Sequence, residues 1–192
     1  MRRSILERNL FHLIAGSLLP LIGLLVPRDM IFWTSVSVAG LAIGVELARF
    51  TFGRVNDYVF THIGVLFKEG ERGAVSGATY MLIGTVGAFL FFDKSLAIMA
   101  LLFLSLGDPA AAIVGTRYGR HRIFSKSLEG SAAFLSVSLV VAGLFALSGA
   151  IAPGWPMLVG ASVAALVELL PLPIDDNLTV PMFAGVATAA LL

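Results

Sequence analysis

GDPAAAIVGTRYGRHRIFSKSLEGS, residues 107–131, sets an acid where acids are costly. Thirteen uncharged residues, Ser95 to Gly107, precede Asp108, and eight more, Pro109 to Thr116, follow it. A helix made of them crosses hydrocarbon, where a carboxylate costs roughly a few kcal/mol and marks a functional site by default. Pro109 lacks a backbone donor and crowds the preceding turn, which predicts a kink or restart with Asp108 as N-cap and Pro109 as the first helical residue. Gly107, Ala111, Gly115 and Gly119 recur every fourth residue and strip one face of bulk, so that either a second helix or a ligand can approach. Lys126, Ser127, Glu129 and Gly130 stand just ahead of the next apolar run, at a helix N-terminus. Such an end attracts phosphate, and an adjacent lysine adds to the attraction. Read as structure alone, the same residues make a capped helix with a Lys126–Glu129 surface pair.

Composition agrees with a membrane setting. Of 192 residues, 58% are hydrophobic and 13% charged, against about 25% charged in an average soluble domain. The sequence predicts an all-α integral membrane protein, residues 1–192 forming one transmembrane domain. A net charge of +1 gives no reason to invoke nucleic acid, and with no cysteine there is no disulfide, thiolate metal site or cysteine nucleophile.

Working outward, Arg2, Arg3 and Arg8 precede nineteen uncharged residues, Asn9 to Pro27, read as an uncleaved first span. A second span runs from Met30 to Ala48. Within Phe50 to Lys68, the apolar residues Phe52, Val55, Val59, Ile63 and Leu66 fall at helical spacing, as in an amphipathic helix lying at the membrane interface. Spans follow at Gly73 to Phe92 and from Ser95 to about Tyr118. The thirty-eight uncharged residues from Gly130 to Val167 are too many for one crossing, and Pro153 to Pro156 divide them into two. Leu178 to Leu192 completes a count of seven.

With seven crossings, the loops on the N-terminal side carry eleven Lys and Arg residues and those on the other side only Arg28 and Lys94. That asymmetry predicts a cytoplasmic N-terminus and an outside C-terminus. It also sends His12, Glu46, Arg49, Asp108, Lys126, Glu129, Glu168, Asp175, Asp176 and Asn177 to the cytoplasmic half. Asp108 lies fourteen residues from Lys94, about 21 Å of helix, and hence about 9 Å beneath the inner surface of a 30 Å core. Oxygen ligands at one depth suit magnesium, which takes one or two carboxylates together with substrate phosphates. Glu46 with Arg49 also reads as a structural pair, and a lone His12 as a polar contact. The sequence holds no Gly-x-x-x-x-Gly-Lys-Ser/Thr loop and no His-Glu-x-x-His.

Asp108 to Ser131, an acid, a run of small residues, spaced glycines and then Lys-Ser-Leu-Glu-Gly-Ser, resembles the signature of the CTP-dependent lipid kinases: dolichol kinase, phytol kinase and the yeast-type CTP-dependent diacylglycerol kinase. Glu7 to Leu19 with Leu-Phe-His, Val75 to Tyr80 with Ser-Gly-Ala-Thr-Tyr, and Glu168 to Pro181 with Asp-Asp-Asn-Leu-Thr-Val-Pro agree. That group borders the phosphatidate cytidylyltransferases, whose C-terminal Lys-Asp pair and His-Gly-Gly-x-x-Asp-Arg-like element are not found here. The resemblance implies transfer of phosphate from CTP to a lipid alcohol in the bilayer, with magnesium. In that setting Asp108, Lys126, Glu129 and Asp176 are the expected catalytic residues. Gly115, Gly119, Lys126, Ser127 and Gly130 are expected on the nucleotide, and Asp108, Glu168, Asp175, Asp176 and Asn177 on the metal, with His12, Glu46 and Arg49 in support. The rival readings are a cytidylyltransferase making a CDP-lipid and a small ion transporter.

Overall fold

The computed structural model describes residues 2–68 and 70–192, with side chains described from residue 7 onward. Among the described residues eight α-helices follow in order: α1 (Arg2–Leu25), α2 (Arg28–Thr51), α3 (Gly53–Ile63) with a 3-10 turn at Gly64–Leu66, α4 (Gly77–Phe91), α5 (Lys94–Tyr118), α6 (Leu128–Leu147), α7 (Trp155–Leu169) and α8 (Asp176–Ala189). Between α5 and α6 the expected basic loop forms a small hairpin, β1 (Arg122–Ile123) against β2 (Lys126–Ser127).

α5 is the axis of the molecule. Every residue from Leu96 to Ser105 is buried, because α1, α4, α6, α7 and α8 all pack on it. The outward faces are apolar too: Leu25, Trp33, Leu41, Leu144 and Leu147 stand exposed. In water that surface would be costly, whereas lipid tails cover it without penalty. α1 from Glu7, α2, α5 and α6 are each long and apolar enough to cross a membrane. α4, α7 and α8 have 15, 15 and 14 residues. At 1.5 Å per residue they rise about 21–23 Å, short of a 30 Å core, so the seven apolar runs give four full-length spans and three short helices.

Two local expectations change. α5 runs through Pro109 without ending, and Asp108 is an interior residue rather than an N-cap. Proline's fixed φ is a helical value, so it costs one hydrogen bond and some crowding, and the packing on both flanks outweighs that. The small-residue stripe lies at the α5–α6 contact: a Cβ on Gly107 would stand 2.8 Å from the Phe134 ring, and one on Gly130 would stand 2.9 Å from the Ala111 carbonyl oxygen. The amphipathic segment forms α3, which buries none of its residues.

Opposite ends of the bundle differ. Arg28 donates to the carbonyls of Phe89 and Phe92, both at 3.0 Å, and Lys94 donates to the carbonyl of Val26 at 2.7 Å, which ties the α1–α2 turn to the α4–α5 turn. The remaining polar side chains named from the sequence gather away from these turns, around the starts of α4, α6 and α8.

Candidate active site

Three helices begin with a side-chain cap, the arrangement that satisfies otherwise orphaned N–H groups. Ser76 Oγ accepts from the Thr79 N–H at the start of α4, Ser127 Oγ from Gly130 at the start of α6, and an Asp175 oxygen from Asn177 at the start of α8. The starts of α4 and α8 meet at one cavity of about 310 Å³, bordered by Ser76 and Gly77 and by Asp176 and Asn177, which Lys126 reaches from the hairpin ahead of α6. Asp108 from mid-α5 and His12 from α1 complete its polar side, while Phe11, Leu66 and Met81 make an apolar wall. The fold therefore delivers Asp108, Lys126, Asp176, Asn177 and His12 to one place.

The hairpin carries Lys126 there. Its ammonium donates to Asp176 Oδ2 at 2.7 Å and to the Glu168 carbonyl, and stands 3.1 Å from Glu168 Oε1. Burial by itself lowers the Lys126 pKa; the charge of Glu168 and the hydrogen bond to Asp176 outweigh it and hold the value above the ordinary lysine range. Glu168 is buried and also accepts from Ser131 Oγ at 3.2 Å. Glu129 turns the other way, its carboxylate accepting from the His121 N–H at 3.2 Å and lying 2.8 Å from His121 Nδ1. The Lys126–Glu129 surface pair is thus replaced by two separate pairs. Gly115, Gly119, Ser127 and Gly130 do not border the cavity; a Cβ on Gly115 would sit 2.8 Å from Ser127 Oγ.

Glu46 and Arg49 form a clasp one layer behind. Arg49, almost fully buried, donates to Glu46, to Asn56 Oδ1 at 3.1 Å and to the carbonyls of Glu71 and Ala74 at 3.1 and 2.9 Å. Glu46 Oε1 in turn accepts from the Ser76 N–H at 3.0 Å and from Thr79 Oγ1 at 3.1 Å. The pair fixes the 71–76 loop and, through it, the start of α4.

Two residues at the site stand outside the motifs of the sequence. Glu71 is buried, accepting from the N–H groups of Lys68 and Gly77 at 3.0 Å, and Lys68 Nζ reaches Asp175 Oδ2 at 2.9 Å. Burial lowers the Lys68 pKa and the neighbouring Asp175 raises it, with the raise prevailing. Both residues sit in what reads as a charged surface turn. The available signal was that Asp175 and Asp176 stand side by side with only Lys126 to balance them.

Magnesium finds a partial donor set. Among the described residues no three His, Asp or Glu side chains form a metal cage by themselves. Asp108 and Asp176 border the same cavity, which matches a cation that takes two carboxylates and completes its shell with phosphate and water. Asn177 is held at the cavity by its amide nitrogen, which donates to the Gly77 carbonyl at 3.1 Å.

CTP-dependent diacylglycerol kinase 1 of Schizosaccharomyces pombe is 32% identical over 155 residues, covering 73% of this chain and 71% of that protein. The chain belongs to the CTP-dependent lipid kinase family. The Saccharomyces cerevisiae diacylglycerol kinase of the same name is 27% identical over 186 residues, and the chloroplastic farnesol kinase of Arabidopsis thaliana 34% identical over 151. The alignments cover 84% and 65% of this chain, and 64% and 49% of those longer proteins. No family model and no solved structure matches this lipid kinase family member.

Proposed function

We propose that this protein is a phosphotransferase that moves the γ-phosphoryl group of CTP to the hydroxyl of a membrane lipid alcohol: a diacylglycerol, a polyprenol or a phytol-like isoprenoid. The observation that carries the reading is the single cavity in which Lys126, Asp108 and Asp176 face an apolar wall. The starts of α4 and α8 border it, and their positive ends favour phosphate.

In this reading the lipid oxygen attacks the γ-phosphorus, the bond from that phosphorus to the β–γ bridging oxygen breaks, and CDP leaves. The hydroxyl proton passes to a base in the cavity. Lys126 holds phosphate oxygens and offsets the charge that builds on them. Asp108 and Asp176 would hold magnesium, with Asp175, Asn177 and Glu168 in support, and the ion would supply positive charge against the charge developing on the phosphate. Asp108 would thereby help position the phosphoryl group for the incoming oxygen. The three short helices cross with the help of their flanking loops. That gives seven crossings, a cytoplasmic N-terminus and an active site on the cytoplasmic face, supported by Arg28 and Lys94 meeting at the other end of the bundle.

Purified protein in mixed micelles, given CTP labelled at the γ-phosphorus and a panel of diacylglycerol, polyprenol and phytol, tests the proposal. Label in the lipid is the expected result. Label released as pyrophosphate identifies a cytidylyltransferase instead and removes the kinase.

A further inference from the structure

A second cavity of about 450 Å³ lies beside the first, and Lys68, Glu71, Lys126 and Asp176 border both. The two differ in character. The first is walled by Phe11, Ile63, Leu66 and Met81, and its α1 wall carries lipid-facing Leu10 and Ile14 on the same helix. The second is framed by Tyr80, Ser125 and the non-helical segment from Leu170 to Ile174, whose residues are all exposed. Among the described residues, Lys68 and Lys126 are the cations bordering both cavities.

Resting on the kinase reading above, we infer that these are the two substrate sites, the lipid hydroxyl entering the apolar cavity and the nucleotide the open polar one. On this assignment Lys68 is a second phosphate-binding lysine at their junction. A phosphoryl group passing between them must cross where the cavities meet, and both lysines stand there. Lys68 is fitted to bind and release an anion, because its side chain is 48% exposed and pairs with Asp175 at 2.9 Å. The ammonium can exchange that carboxylate for a phosphate oxygen, because Asp175, 18% exposed, keeps the hydrogen bond from the Asn177 N–H at 3.0 Å. Its position beside Lys126 doubles the positive charge on the triphosphate and mirrors the neighbouring Asp175 and Asp176.

Four variants test this in nanodiscs with CTP and short-chain diacylglycerol: Lys68→Met, Lys68→Arg, Ile63→Trp in the apolar cavity and Leu172→Trp in the polar one. Ile63 and Leu172 are exposed, so added bulk fills space without disturbing the core. Lys68→Met is expected to raise KM for CTP about tenfold or more and to weaken CTP binding in calorimetry equally, as loss of a charged hydrogen bond does. Lys68→Arg is expected to retain most of both. Leu172→Trp should raise KM for CTP alone, and Ile63→Trp KM for the lipid alone. Unchanged CTP binding in Lys68→Met, or tryptophan variants that shift the same constant or exchange their effects, overturns the inference. A wild-type protein that binds CTP but transfers no label defeats the kinase reading instead, and calorimetry on Lys68→Met then decides the lysine's role alone.

Discussion

Lys126 Nζ lies 2.7 Å from Asp176 Oδ2 although fifty positions of sequence separate the two residues. The contact joins the hairpin before α6 to the first turn of α8, and Glu168 at the end of α7 completes it. Three segments that follow one another around α5 are thus stitched together by one ammonium, whose protonation matters to fold and chemistry alike.

The raised pKa of Lys126 sets a pH window. A cation whose folded pKa lies above its unfolded value contributes all its stability below the unfolded value, about 10.4 for lysine, and loses it as pH rises through the folded one. Lys126→Met should therefore lower the unfolding midpoint by a constant amount from pH 7 to pH 10, and the gap should narrow only above that. Leaving the Glu168 and Asp176 oxygens without their donor costs about 1–3 kcal/mol. Transfer should fall about a hundredfold, the cost of removing one preorganised charge-stabilising donor. A gap that closes between pH 7 and pH 9 in thermal melts would contradict the assignment.

Charge balance predicts strict dependence on a divalent cation. Four carboxylates, Glu71, Asp108, Asp175 and Asp176, border one or both cavities and a fifth, Glu168, pairs with Lys126, against three bordering cations, Arg8, Lys68 and Lys126. A triphosphate adds about four negative charges to a site already in deficit, and like charges at close range in a poorly screened setting repel strongly. Chelation should weaken CTP binding at least about tenfold, a shift of 1.4 kcal/mol. Asp108→Asn should raise the magnesium concentration for half-maximal transfer while leaving the melting temperature within a few degrees. Equal CTP affinity with and without chelator, measured by equilibrium dialysis, would defeat this account.

The glycine stripe separates packing from ligand binding. A Cβ on Gly130 meets a backbone carbonyl, which cannot rotate away. Overpacking costs about 1–3 kcal/mol, against a gain of about 0.8–1.0 kcal/mol from alanine's better helix propensity. The balance favours a net loss near 1 kcal/mol, or about 2–4 °C in Tm for a chain of this size. Gly130→Ala should show that drop with KM for CTP little changed. An unaltered Tm with a raised KM would place a ligand, rather than α5, against that face.

Much of this was legible in the chain itself. Apolar runs located every helix but α3, which amphipathic spacing located, because burial in lipid and in the core demands the same residues, and the cost of intramembrane acids pointed to Asp108 directly. The convergence of Asp108, Lys126, Asp176 and Asn177 followed from depth. What local reading missed depends on distant partners. Pro109 looks like a break until the packing of α1, α6 and α8 on the same helix is counted. Lys68 looks like a surface charge until Asp175, 107 positions away, is brought to it. Glu129 looks like a partner for Lys126 until the hairpin turns the two apart and gives Glu129 to His121. Three of the seven apolar runs form helices shorter than a full span, since uncharged stretches run into loops and overstate helix length.

His12 supplies the last prediction. Its Nε2 is buried with no hydrogen-bond partner among the described residues, beside the cavity that also holds Asp108. Buried polar atoms are nearly always paired, so an unpaired one calls for a ligand or a role. A neutral imidazole with its proton on Nδ1 offers Nε2 as an acceptor, and the lipid hydroxyl is the donor that the proposed reaction brings into that cavity. His12→Ala should lower kcat about a hundredfold, within the range for loss of a general base, with KM for CTP nearly unchanged because the proposed nucleotide site lies on the other side of Lys126. Added imidazole should restore part of the rate to His12→Ala and none to Lys126→Met. A role confined to packing predicts a lowered Tm and no response to imidazole, so the rescue experiment read beside a thermal melt decides between them.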